Sequence, residues 1–180
     1  MLRVPLLPLS LAVAISTLSP SAAGPTAPRT APPGAGLPAG SRPFDLPLRP
    51  TLTLDAARAA LEGALSEARR LDAGGAIAVV DDGGHLVLLA RIDGTFPASS
   101  EVAARKARTA ATFRRPTRDF ENAVRNGRHT LLAVDAMTPL EGGVPIVVAG
   151  QVVGAVGVSG AHSSEEDVLI AEAGASAVEN

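Results

Sequence analysis

Beyond about residue 50 the chain alternates between apolar positions at helical spacing and short unbroken apolar runs. Leu54, Ala57, Leu61, Ala64, Leu65 and Ala68 recur every three or four residues, which predicts a helix to about Leu71, opened by Thr53 as N-cap with Asp55 in its first turn. Gly74-Gly75 stops it, and the continuous run Ala76 to Val80 reads as a strand buried on both faces. Asp81-Asp82-Gly83-Gly84 turns the chain into His85 to Arg91, giving a β-hairpin whose turn glycines accept positive φ. Pro97 with Ser99 or Ser100 opens a second helix through Phe113, with Val102, Ala103, Lys106, Ala107, Ala110 and Phe113 on neighbouring positions of one face. Arg114-Arg115-Pro116 ends that helix, and Thr117 is expected to cap a short one over Arg118 to Arg125, stopped by Asn126-Gly127.

No single period settles Leu131 to Met137. Gly142-Gly143 then leads into a second hairpin, Val144 to Ala149 and Gln151 to Ser159 with its turn at Ala149-Gly150. Ser163 or Ser164 caps a last helix whose first turn carries Glu165, Glu166 and Asp167, where carboxylates meet the positive end of the helix dipole. The order α-β-β-α-α-β-β-α, with helices between paired hairpins, predicts an α+β domain: an antiparallel sheet of two hairpins covered by helices on at least one side.

The first fifty residues follow another pattern. Arg3, the apolar run Leu6 to Leu18 and Ser21-Ala22-Ala23 resemble the three regions of a secretory signal peptide, with cleavage expected after Ala23. A membrane anchor is the alternative, but the run falls short of the roughly 20 residues that span a bilayer. Residues 24–50, rich in Pro, Gly, Ala and Arg, lack periodicity and read as a disordered linker. The expected organisation is a signal peptide over 1–23, the linker over 24–50 and a domain over 51–180, exported to a periplasmic or extracellular location with no membrane span after processing.

Composition narrows the chemistry. Hydrophobic residues make up 46% of the 180-residue chain but aromatics only 2%, with no Trp and no Tyr, so Val, Leu, Ile and Ala must build the core. Few aromatics to stack on bases, together with a formal net charge of -2, argue against nucleic acid as a partner. The absence of Cys removes disulfides, thiolate nucleophiles and cysteine-ligated haem. His85, His129 and His162 show no metal-ligand spacing among themselves, so no dedicated metal site is expected. No glycine-rich phosphate loop opens a helix, so nucleotide cofactors are not implied.

Five motifs stand in a fixed order: Ile77 to Asp81 with Gly83 to Leu86; Arg91-Ile92-Asp93-Gly94; Lys106-Ala107-Arg108-Thr109-Ala110 with Pro116-Thr117; Glu141 to Ile146; and Gly150 to Ala161. In this order they resemble the GlcG/HbpS family, and the likeness covers essentially the whole domain. The resemblance implies a profilin-like α+β fold and assembly into a homo-oligomer. It leaves function open, because the family includes haem-binding proteins, a domain appended to cobalamin adenosyltransferases and members of catabolic role.

By that resemblance the Lys106 to Phe113 helix borders the ligand site, and the Glu141-Gly142-Gly143 loop is expected to meet it around a shared cavity, with Lys106, Thr109, Arg105, Phe113, Glu141, Gly142 and Gly143 as the binding residues. Lys106 and Thr109 lie three apart on the helix, and Arg105, with Arg108 or Arg115, adds cations for a small planar or carboxylated ligand such as haem with its propionates. Thr109 is placed against a haem iron by the same likeness, although a hydroxyl is a poor axial ligand. The alternative is an exposed basic helix surface. Glu141 before Gly142-Gly143 has the character of an acid/base, since glycines expose amides beside a carboxylate; the plainer reading is a turn carboxylate accepting backbone hydrogen bonds. His85 could support such chemistry or hold its turn. Three functions follow: an exported binding protein for haem or a similar ligand, a small-molecule enzyme acting on an organic acid or carbonyl compound through Glu141 and His85, and an extracytoplasmic accessory or sensor module.

Overall fold

The computed structural model describes residues 48–179. The expected signal peptide, 1–23, and all but the end of the expected linker lie outside the described residues. Four helices and four strands follow in the anticipated order: α1 (Leu54–Arg70), β1 (Ala76–Asp81), β2 (Leu86–Arg91), α2 (Ser99–Phe113), α3 (Thr117–Arg125), β3 (Gly143–Val148), β4 (Gln151–Ser159) and α4 (Ser164–Glu179). A single 3-10 turn, His129–Ala133, fills part of the stretch that periodicity left open.

The strands form one antiparallel sheet of order β2-β1-β4-β3. The two most deeply buried strands, β1 and β4, pair at its centre, Ala76 opposite Ser159 and Asp81 opposite Gly154. Helices cover both faces. Ala57, Ala60, Ala64 and Ala68 of α1, with Ile170, Ala171 and Ala175 of α4, close over Ile77, Val79, Ile146, Val156 and Val158. Each of those larger aliphatic side chains contributes roughly 1.5–3 kcal/mol on burial. On the other face Ala103, Ala107, Ala110 and Ala111 of α2 meet Ala76, Ala78, Val80 and Ala155.

That second layer is unusually thin. A Cβ at Gly157 would collide with the backbone of Ala103 and Ala107, so helix and strand touch main chain to main chain. The turn of the second hairpin uses positive φ at both Ala149 (50°) and Gly150 (76°), the backbone of a two-residue type I′ turn.

Caps follow the expectation at two helices and depart from it at two. Thr53 accepts the Ala56 amide at 3.2 Å, and Ser163 accepts that of Glu166 at 3.2 Å. Ser99, expected as a cap, is instead the first residue of α2, and its buried hydroxyl donates back to the Phe96 carbonyl at 2.7 Å. Thr117 likewise begins α3 itself, with Pro116 in the capping position. Its hydroxyl is taken by a tertiary contact, accepting the Gly143 amide at 2.8 Å. In both cases a long-range or backward hydrogen bond outcompetes the local one.

Candidate functional site

The Lys106 helix and the Glu141-Gly142-Gly143 loop meet, but without space between them. Lys106 is almost wholly buried, and its ammonium donates to the Val158 carbonyl at 2.9 Å and to Asp167 Oδ2 at 2.8 Å. Asp167 also accepts the Ala161 amide at 3.0 Å. One ion pair thus ties α2 to the end of β4 and the first turn of α4. Gly142 and Gly143 press against the same residue. A Cβ on Gly142 would stand 2.9 Å from Lys106 Nζ, and one on Gly143 would strike the Lys106 carbonyl. The structure therefore gives Lys106 and Gly142 to the packed interior, while Gly143, also buried, borders only a small hollow of about 190 Å³ shared with Pro116, Arg118, Asp119, Val144, Val168 and Glu172.

A hollow lies on the outer side of α2. It measures about 330 Å³ and is lined by Glu101, Ala104, Arg105 and Arg108 of α2 and by Asp135, Ala136, Met137 and Thr138 of the loop before β3. Thr109, fully buried, latches the two walls: its hydroxyl donates to the Arg105 carbonyl at 2.9 Å and accepts the Thr138 amide at 2.9 Å. Arg105 bonds Glu101 at 2.7 Å, and Arg108 donates from Nε to the Gly84 carbonyl at 3.3 Å, so one rim of the hollow leans on the first hairpin turn. On the far side of Met137 a second hollow of about 380 Å³ opens among Phe113, Phe120, Arg128, Leu131 and Val134. Phe113 and Phe120 meet edge to face there, centroids 5.5 Å apart, with Arg115 over the Phe120 ring.

Glu141 and His85 are not brought together. His85 follows the end of β1 that pairs with Gly154, whereas Glu141 precedes the end of β3 that pairs with Gly157, and β1 and β3 flank β4 on opposite sides. The Glu141 carboxylate accepts from Arg118 at 3.3 Å, and its amide donates to Glu121 at 2.6 Å, pinning the loop to α3. His85 holds its turn: its amide and its ring nitrogen Nδ1 lie 2.8 and 3.2 Å from Asp81 Oδ1. Burial pulls the Asp81 carboxyl upward, but the His85 amide and ring and the Gly83 amide outweigh it and hold it below its ordinary value. His162 faces Glu166 at 2.9 Å, and His129 is exposed at the start of the 3-10 turn. Among the described residues no group of three potential metal ligands converges, and no helix is long and apolar enough to cross a membrane.

Sequence reasoning named Arg105 and Arg108 but missed Met137 and the loop beside it. The only available signal was negative: a stretch without period, placed between a helix stop and a strand, is where a site-forming loop is free to sit.

Fold and site together define a small α+β domain, one antiparallel sheet between helices, with an open hollow on the outer side of its central helix. The chain belongs to the HbpS-like family, described as haem degrading protein HbpS-like, whose model matches residues 52–176. It is similar to protein GlcG of Escherichia coli K12, 45% identical over 108 residues that make up 60% of this chain and 81% of GlcG. A double mutant of HbpS from Streptomyces reticuli superposes with a TM-score of 0.71 at 33% identity, covering 81% of this chain and 99% of HbpS. PduOC, solved in complex with haem, superposes at 0.63 with 25% identity over 71% of this chain and 95% of that one.

Proposed function

We propose that this protein binds haem, or a planar carboxylated ligand like it, in the hollow beside α2. The observation that carries the proposal is the composition of that hollow. Arg105 and Arg108 offer guanidinium groups suited to carboxylates. Ala104, Ala136 and Met137 offer apolar surface, continued beyond Met137 by Phe113, Phe120, Leu131 and Val134. Glu101, paired with Arg105, and Asp135 also stand on the rim; the two guanidinium groups and the apolar surface together suit a flat apolar ring with anionic edges. Haem, when bound, supplies a redox-active iron; the chain's own residues hold the ring, anchor its carboxylates and shield one face from water. The haem complex of PduOC and the family description support the choice of ligand. Titration of purified protein with haemin tests it. A shifted Soret band that weakens when Arg105→Ala and Arg108→Ala are combined is the expected result, and an unshifted band overturns the proposal.

The proposal extends to where and how the protein works. Residues 1–23 direct export, residues 24–50 tether the domain, and copies associate with one another. Support for export is the charged, apolar and small-residue order of the N-terminus. Support for association is the exposure of Leu86 and Leu89 on the edge strand β2. An N-terminus beginning at Gly24 in protein recovered outside the cytoplasm, and a mass in solution that is a multiple of the monomer, are the expected findings.

A further inference from the structure

The haem reading, on which this inference rests, leaves open which atom of the chain faces the iron. Protein ligands to haem iron come from His, Cys, Met or Tyr. This chain has no Cys and no Tyr. None of its three histidines lines either hollow on α2; His85 and His162 have their Nδ1 atoms against Asp81 and Glu166. Thr109 is fully buried and lines neither hollow, its hydroxyl donating to one carbonyl and accepting one amide. Met137 differs on every count. It lines both hollows, is partly buried and has a soft sulfur without a proton to lose. Its main chain is fixed on two sides: its own amide donates to the Val134 carbonyl at 2.9 Å, and the next residue, Thr138, is latched to Thr109. The other methionine, Met1, lies outside the described residues.

We propose that the Met137 thioether is this chain's ligand to haem iron, and that Thr109 is a positioning residue that sets Met137 through Thr138. Thioether ligation favours the reduced iron and raises the reduction potential. A thioether also takes up no proton between about pH 5 and 8, where a free imidazole does, so no protonation competes with the iron there.

The test loads the full chain with haemin and compares wild type with Met137→Leu, Met137→His, Thr109→Val and Thr109→Ser by absorption spectra in both oxidation states, by spectroelectrochemistry and by melting. Met137→Leu conserves volume at a partly buried site and is expected to fold. The wild type should show a far-red sulfur-to-iron charge-transfer band that is constant across that pH range. Met137→Leu should lose the band and lower the potential, and Met137→His should exchange it for a nitrogen-ligated spectrum. Thr109→Val should weaken the band while Thr109→Ser retains it. A bound haem whose spectrum and potential ignore Met137→Leu overturns the ligand assignment alone. A wild type that takes up no haemin overturns the haem reading and this assignment with it.

Discussion

Arg105 and Lys106 are neighbours in sequence and opposites in role. The Lys106 side chain is 4% exposed, locked to Asp167 in the interior, whereas that of Arg105 is 63% exposed on the rim of the hollow. Successive residues of an α-helix are turned by about 100°, so one helix carries a face that holds the domain together and a face that meets a ligand. Much of the family-like motif from Lys106 to Ala110 belongs to the first face: Lys106, Ala107, Thr109 and Ala110 are all buried. Arg108, the exposed position within it, belongs to the second. Likeness to a family can therefore report how a helix is packed more strongly than what it touches.

The contrast predicts a steep gradient of effects across α2. Lys106→Met should be the most damaging change, because it strands the Asp167 carboxylate in the interior; removing one partner of a buried pair costs about 3–5 kcal/mol. Urea unfolding measures this, and a double variant with Asp167→Leu should recover much of the loss; a cost near zero for the single change would erase the distinction between the faces. Gly157→Ala comes next, at about 3 kcal/mol, because a methyl group there drives α2 off the sheet. Its melting temperature should fall even though the substitution removes no charge and no hydrogen bond.

On the outer face the sign of the contrast reverses. Arg105→Ala with Arg108→Ala should change stability by less than about 0.5 kcal/mol per site, yet weaken haemin about tenfold, equivalent to about 1.4 kcal/mol. Unfolding and titration of the same preparation separate the two quantities. The smallest effect belongs to the turn that supports Arg108. The Asp81 carboxyl titrates below its unfolded value of about 3.9, so its contribution is fully present above that pH and is lost as pH falls through the lower folded value. Asp81→Asn should therefore melt slightly below wild type at neutral pH, the difference closing in strong acid.

The fold was largely legible because its signals are local. Apolar runs of strand length, glycine turns and the period of α1 specify element order and sheet class. Ser99 and Thr117 misled as caps because their hydroxyls answer to carbonyl or amide partners that local pattern does not reveal, Gly143 lying 26 residues from Thr117. The site was legible in part. Cationic residues on α2 were visible, but which of them face outward depends on the seating of the helix, and that seating is fixed by Gly157 and Gly143 some 40 to 50 positions away. Met137 was invisible because its position comes from a bond between Thr109 and Thr138 that bridges an aperiodic loop.

The main-chain contact between α2 and Gly157 has a further effect. With no side chains between them to shear or repack, the helix forms a fixed jaw, and any give in the hollow must come from the segment 135–138 opposite it. Such a clamp separates two histories: substitutions in the loop can retune what is gripped without disturbing the anvil beneath, while the anvil itself has almost no freedom to drift.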